Sequence, residues 1–347
     1  MKKPTVSYPT ELKQVLSTHI GPVNVVRYNN QTSKYCLSGG ADRTIRLWNP
    51  SAGKEVKVYK GHGYEVLGLD IAPDNASFAS CGGDKAVLIW DVASGTITRR
   101  LQGHFGKINV VRYVGGGAGA KDGGGNVLVS GSFDSKVMLW DMRYVVVLLT
   151  GTRLAPWVDR FKGSAQARVP IQTLQEARDS ITSISIPPSS ADGAEIVTGC
   201  VDGVVRSYDV RMGKLVSDTI GAPVTSVVVS PTAPKDSVLV ASLDSSIRLM
   251  DRTNGQMLAT FKHDKFVNTA YRSQVAFGYG EEVVLAGDDQ GCLWAWNIID
   301  SKSLMEQPEK VHDKVITWVE SHPLNGEELL TASADGTIKV WGKKKEE

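Results

Sequence analysis

The sequence predicts an all-β chain, a seven-bladed β-propeller of four-stranded antiparallel blades closed by its N-terminal strand. Three observations carry this expectation. One motif returns seven times, short alternating or apolar runs separate the copies, and the 347 residues include 35 glycines, above the ordinary share of about 7%.

The string GGADRTIRLWN at 39–49 returns as CGGDKAVLIWD at 81–91, GSFDSKVMLWD at 131–141, GCVDGVVRSYD at 199–209 and ASLDSSIRLMD at 241–251. It recurs as GDDQGCLWAWN at 287–297 and SADGTIKVWG at 333–342. The copies end on Trp48, Trp90, Trp140, Tyr208, Met250, Trp296 and Trp341, so successive intervals are 42, 50, 68, 42, 46 and 45 residues. A four-stranded propeller blade takes about 40–45 residues. The two long intervals both adjoin the third copy, where inserts are visible.

Between the markers run VNVVRY at 23–28, YEVLGLDIAP at 64–73, TSVVVSP at 225–231 and EELLTAS at 327–333. Their length, β-branched content and flanking turn residues read as strands. No helical run of ten residues or more emerges. The last copy lacks an outer strand, which residues 11–18 of ELKQVLSTH can supply, so residues 11–342 form one ring between a tail at 1–10 and a charged tail at 343–347.

In each copy an aspartate sits six residues before the aromatic position: Asp42, Asp84, Asp134, Asp202, Asp244 and Asp335, with Gln290 in the sixth copy. His19, His62, His104, His263 and His312 open five copies, absorbing five of the six histidines. A loop histidine can bond the turn aspartate, a hydroxyl can continue the chain, and an indole N–H can end it, so that every buried polar group is paired. By spacing, the complete sets are His19, Ser38, Asp42 and Trp48; His62, Ser80, Asp84 and Trp90; His104, Ser130, Asp134 and Trp140; and His312, Thr331, Asp335 and Trp341. The fourth copy keeps Thr198, Asp202 and Tyr208 without a histidine, and the fifth has Val240 and Met250 at hydroxyl and indole positions. These blades are expected to rest more on apolar packing and to be locally less stable.

The GH…D…WD pattern resembles the WD-repeat family across residues 11–342. Closer likeness lies in GHGYEVL at 61–67, CGGDKAVLIWDVASG at 81–95, QTLQEARD at 172–179, VDGVVRSYDVRMGKLVSD at 201–218 and SLDSSIRLMD at 242–251. These segments are similar to WD-repeat scaffolds of mitogen-activated protein kinase signalling that are also found in spliceosomes. The resemblance implies a non-enzymatic platform with kinase-cascade components and spliceosomal proteins as partners, monomeric within larger complexes, in cytoplasm and nucleus. It implies no cofactor and assigns no partner-binding residue. Residues 144–169 depart from it, reading as an outer-edge loop, a translated retained intron or a docking element. GGGAGAKDGGG at 115–125 reads as a flexible loop.

Other chemistries are weakened by the residues themselves. Basic and acidic residues number 39 and 37, so no global basic footprint favours nucleic acid. Direct RNA binding within a splicing complex is the alternative, requiring clustered Lys/Arg with exposed aromatics. No apolar run approaches the 18 or so residues of a membrane span, and VVVLL stops after five. Cys36, Cys81, Cys200 and Cys292 are too far apart in sequence for the paired spacing of a zinc site and read as reduced core thiols. The His/Ser/Asp sets recur in several equivalent blades, whereas catalysis needs one constellation in one cleft. The glycine-rich insert lacks the serine or threonine of a phosphate loop, and His322, before Pro323, reads as a turn residue. No catalytic, cofactor or metal site is expected.

Binding is expected on the face bearing the marker histidines and aspartates, since loops on a rigid scaffold carry function. Residues flanking the first apolar position of each inner strand point to its rim: Glu65, Leu67, Lys107, Asn109, Thr182, Thr225, Phe266 and Asn268. Tyr64, Phe133 and Leu243 join them. Aromatic and leucine anchors beside charges suit an interface centre, which makes Tyr64, Phe133, Leu243 and Phe266 the leading anchors.

Overall fold

The computed structural model describes all residues except 1–7, 116–124, 143–168, 189–194, 233–235, 306–307, 309 and 344–347. Most of the two inserts, and most of both tails, therefore lie outside the described residues. Seven antiparallel sheets follow one another around a ring. Their inner strands are Val23–Tyr28, Val66–Ile71, Ile108–Val114, Ile181–Ser185, Val224–Val229, Ala276–Phe277 and Ile316–Ser321. Blade one continues outward through Cys36–Gly40, Thr44–Asn49 and Lys54–Lys60. The second strand is buried at every position and the outermost alternates, as expected where a sheet meets neighbours inside and water outside.

The N-terminal strand Glu11–Leu16 pairs antiparallel with Ile338–Gly342, setting Leu12 opposite Trp341 and Leu16 opposite Ile338. It is the fourth strand of blade seven, and it covers what would otherwise be an open edge. Blade six departs from the expected four strands. Among the described residues it has three, and its inner strand has two residues. The preceding FVNTAYRSQ has no β-branched alternation, and Gln274 forms a parallel bridge to Trp318 of blade seven instead.

Blades meet through a repeated close approach. A Cβ added to Gly39, Gly131, Gly199 or Gly287 would lie 2.6, 2.5, 2.7 or 2.2 Å from Val66, Ile181, Val224 or Ile316 respectively. Each of these glycines is in the second strand of its blade, and each neighbour opens the next inner strand. Polar side chains sew the same seams. Asn24 donates to the Val66 carbonyl (2.8 Å), Asn109 to that of Ile181 (2.8 Å) and Thr182 to that of Val224 (2.7 Å).

The four spaced sets form continuous relays. In blade one the Trp48 indole N–H donates to Ser38 Oγ (2.8 Å), Ser38 lies 2.7 Å from His19 Nε2, and His19 Nδ1 lies 3.0 Å from Asp42. Ionised Asp42 can only accept, so Nδ1 carries the proton and Nε2 receives the serine hydroxyl hydrogen. The same order holds in three more blades. In blade two Ser80 Oγ accepts from Trp90 at 2.8 Å and lies 2.6 Å from His62, which bonds Asp84 at 2.9 Å. In blade three Ser130 Oγ accepts from Trp140 at 2.8 Å and lies 2.8 Å from His104, which bonds Asp134 at 3.0 Å. In blade seven Thr331 Oγ1 takes the serine's place, 2.9 Å from the Trp341 indole and 2.8 Å from His312, which bonds Asp335 at 2.9 Å. Each aspartate also fixes its turn. Asp42, Asp134, Asp202 and Asp335 accept the backbone N–H two residues on. The residue after the marker position has positive φ in every blade, namely Arg43, Lys85, Ser135, Gly203, Ser245, Gly291 and Gly336.

Blades four and five do not rely on apolar packing alone. Arg206 and Arg248, four residues after the aspartate, grip Asp202 (2.7 Å) and Asp244 (2.5 Å) where the other blades use histidine. Blade six keeps the six-residue spacing but shifts it by two positions. Asp288, not Gln290, accepts an indole N–H, and the donor is Trp294 at 2.8 Å rather than Trp296. His263 packs on the Trp294 ring at 4.7 Å without joining a relay.

Three outcomes follow from this packing. Gly287→Ala should cost about 2 kcal/mol in urea denaturation, because the new methyl overpacks against Ile316 at a backbone-near atom, while Gly63→Ala, with open space around it, should be near neutral. A chain starting at Ile20 should aggregate or melt earlier than the full chain on heating. The third outcome concerns pH. Burial pushes the Asp134 and Asp202 carboxyls up, but hydrogen bonds from His104 and Arg206 outweigh it and hold each at about 2. Folded values below the ordinary 3.9 or so mean that their contribution is complete above that pH and disappears as pH falls towards 2. Denaturant midpoints measured from pH 5 to 2 should fall accordingly, and Asp202→Asn should lessen the slope while costing about 3 kcal/mol at pH 7 through the unpaired Arg206.

Candidate interaction surface

The relays hold the loops that enter the inner strands against the turns between second and third strands, so both loop sets share one face. On blades one to three this face is apolar at its tips. Ile20 is 81% exposed, Tyr64 63%, Phe105 76% and Phe133 64%. Three of the four follow a marker histidine by one or two residues, and Phe133 precedes Asp134. Their backbones are fixed while their side chains are free: the Ile20 and Phe105 amides donate to the relay carboxylates Asp42 and Asp134, and the Phe133 amide to the Lys107 carbonyl.

Cations stand between these tips. Arg43 and Lys85 occupy turn apices at positive φ. Lys107 bonds Glu65 at 2.8 Å across the seam between blades two and three, and Lys136 lies 5.5 Å from the Phe105 ring centroid. The aspartates of the three blades face inward on their histidines, and Glu65 is bonded to Lys107. Blades four to seven carry mixed charge on the same face, including Glu176, Arg178, Asp179, Asp264, Lys265, Asp313 and Lys314.

The structure separates the expected rim residues into two groups. Tyr64 and Phe133 are exposed, with Glu65 and Lys107 joined beside them. Phe266 corrects the expectation: it is 3% exposed and lies edge-on to Trp294 and Trp296 at 5.8 and 5.2 Å. The irregular entry to blade six turns this ring inward, where it packs with Phe277, Trp294 and Trp296. Asn268 is likewise buried, so neither can be a surface anchor. Leu67 and Leu243 are half-buried. Asn109, Thr182 and Thr225 spend their polar groups on carbonyls of their own or neighbouring blades. Phe105 and Ile20 escaped the reading of inner-strand flanks, although their place directly after His104 and His19 was a usable signal.

The relay hydroxyls lie beneath this surface rather than on it. Ser38, Ser80, Ser130 and Thr331 are fully buried, each on a second strand between an indole and an imidazole, so none of them is a contact residue for a partner. The histidines His19, His62, His104 and His312 are buried as well. Their work is confined to the frame: a hydroxyl shut away from water must both donate and accept inside the protein, and the relay supplies both partners.

Among the described residues no group of three or more His, Cys, Asp or Glu is placed to hold a metal ion. The cysteines are free and buried. Burial pushes the thiols of Cys200 and Cys292 up to about 11, which leaves them protonated and inert at neutral pH. No described helix is long and apolar enough to cross a membrane.

Comparison with known proteins agrees with this architecture. The family model described as "WD domain, G-beta repeat" matches residues 10–49 and 308–342, and a propeller model described as "Nucleolar protein 10-like, N-terminal domain" matches 63–275. WD repeat domain-containing protein 83 of Homo sapiens is 34% identical, with 96% of this chain and 93% of that protein covered. Its Danio rerio counterpart is 34% identical over 98% of this chain and 94% of its own length, and the Dictyostelium discoideum homologue 29% over 94% and 97%. The chain belongs to the WD-repeat family, as a propeller closely related to WD repeat domain-containing protein 83.

Proposed function

We propose that this protein-interaction scaffold engages its partners through the face of blades one to three, with Tyr64, Phe105, Phe133 and Ile20 as anchors. The observation that carries the reading is the exposure of three aromatic rings and an isoleucine on fixed backbone, amid cations. Apolar groups held in place lose little entropy on binding, and a few such anchors supply most interface energy. Lys107 and Glu65 belong to the rim, setting orientation and encounter rate more than affinity. The resemblance to organiser-type scaffolds supports kinase-cascade components and spliceosomal proteins as the partners, and both cytoplasm and nucleus as the places of action.

A second reading draws on the same face. Arg43, Lys85 and Lys107 interleaved with aromatic rings also suit single-stranded RNA, whose phosphates seek cations and whose bases stack. Salt dependence separates the two, because phosphate contacts release counterions and protein anchors release few.

Affinity purification with mass spectrometry, comparing the wild type with Tyr64→Ala/Phe105→Ala/Phe133→Ala, checks the surface. Kinase-cascade or spliceosomal proteins should be lost from the variant, each anchor contributing about 2 kcal/mol. The thermal melt should be nearly unchanged, because all three rings are exposed. An unchanged partner set would reject the surface. Binding of purified protein to an RNA oligomer that weakens steeply from about 50 to 200 mM salt would favour the second reading.

A further inference from the structure

One residue from the lower end of every inner strand lines a cavity of about 570 Å³ in the central channel. In ring order these are Glu320 of blade seven, Arg27, Asp70 and Arg112 of blades one to three, then Ser185, Val228 and Ala276 of blades four to six. One half of the ring therefore alternates in charge and the other is small or apolar, and Ile186 also lines the cavity. An amphipathic space results.

The charged half is short of acceptors. Arg27 Nε lies 3.1 Å from Glu320 and its Nη2 3.4 Å from Asp70, while Arg112 Nη1 is 3.7 Å from that same Asp70 oxygen. The second carboxylate oxygens are already used, by the Tyr113 amide on Asp70 (2.8 Å) and the Trp318 indole on Glu320 (3.0 Å). Arg112 donates through Nε to the Ile184 carbonyl and lies over the Trp318 ring. It ends the chain of charges, because its other neighbour, Ser185, accepts from the Val229 amide and keeps its own hydrogen to donate. Above them Arg272 of blade six reaches across the channel to the Asn109 carbonyl (2.9 Å), and its Nη2 is buried without a partner. Arg112, with about five N–H groups, thus meets a carboxylate only at 3.7 Å, and Arg272 above it has no carboxylate partner among the described residues. Glu281 lines the cavity too, but its Oε1 is held by Ser230 and Thr232. Burial and the nearby Arg27 push Arg112 down to about 10, and burial does the same to Arg272, which fits cations with too little countercharge.

We propose that the channel cavity binds a small organic oxyanion, a carboxylate or phosphate ester with an apolar body. Its oxygens accept from Arg112 and Ser185, and its apolar part lies against Ile186, Val228 and Ala276. Pro73, Pro187 and Pro323, which follow the inner strands on the side away from the relay face, also line the cavity. The volume falls in the range of small-molecule sites. The site stands apart from the aromatic surface proposed above and does not depend on it.

Isothermal titration of the full chain with acetate, butyrate, 4-phenylbutyrate, the alcohol 4-phenylbutan-1-ol and inorganic phosphate tests this. Affinity should rise along the acid series, and 4-phenylbutyrate should bind at least about tenfold tighter than the alcohol through charge-assisted bonds. Arg112→Gln should abolish that preference and Arg112→Lys retain part of it, with circular dichroism melts showing both folded. Val228→Glu, which places a competing carboxylate in the cavity, should abolish acid binding even if Arg112→Gln does not fold. Met212→Ala, on an exposed turn of blade four outside both sites, should leave acid binding unchanged. No binding by any acid, equal binding of acid and alcohol, or a preference that survives in folded Arg112→Gln would each overturn the site.

Discussion

The approach of neighbouring blades at their inner edges is the constraint on which everything else rests. A twisted sheet is a wedge, and seven wedges close only if each second strand admits the next inner strand to contact distance. Glycine meets that need at Gly39, Gly131, Gly199 and Gly287, where a methyl would collide with a Val or Ile. The buried polar groups then have to be served across the same seam. Asn24, Asn109 and Thr182 do so by donating to carbonyls of the next blade, which fixes blade order and register together.

Once the seams are closed, the relays decide how firmly the loops stand above them. A tryptophan N–H, a hydroxyl and an imidazole form a hydrogen-bonded chain to an aspartate, and each aspartate spends its remaining capacity on turn amides. Blades four and five reach the same end with an arginine on the third strand. The carboxylate stays ionised and the turn stays capped, although the tie no longer reaches the loop entering the blade through a histidine. Loops of blades one to three are thus held by a side-chain chain running to the core. That is where the exposed apolar tips occur, which is physically consistent, since an anchor is worth most when its backbone does not have to be ordered on binding.

Much of this was legible in the sequence for a simple reason: seven copies make each spacing a repeated measurement. The six-residue interval from aspartate to aromatic, the relay members, and the strand offered by residues 11–16 all follow from it. Legibility failed where a local substitution changed the geometry without breaking the count. In blade six both Gln290/Trp296 and Asp288/Trp294 obey the interval, and only the register of the strands shows that the bonded pair is Asp288 with Trp294. Phe266 failed for the same cause, because its exposure was inferred from an inner strand that blade six replaces with an irregular segment. Arg206 and Arg248 were visible in VVRSYD and SIRLMD, but Arg46 at the matching place of blade one coexists with a histidine, so the residue type alone did not announce a replacement.

The departure of blade six has a consequence at the channel. In the preceding blades an apolar residue comes before the hydroxyl that holds a second-strand carbonyl, Ile181 before Thr182 and Val224 before Thr225, and in blade six Ser273 holds the Gly287 carbonyl in the same way. The irregular segment instead sends Arg272 across to blade three, and with Gln274 bridging to blade seven it ties this blade to two others. That crossing sets a third guanidinium above the ring of charges at the lower ends of the inner strands, close enough to act on Arg112. The loss of regularity that buries Phe266 thus also adds to the charge along the axis. A repeat protein gains distinct surfaces in this way, because its identical blades supply the frame and the one irregular blade departs from it.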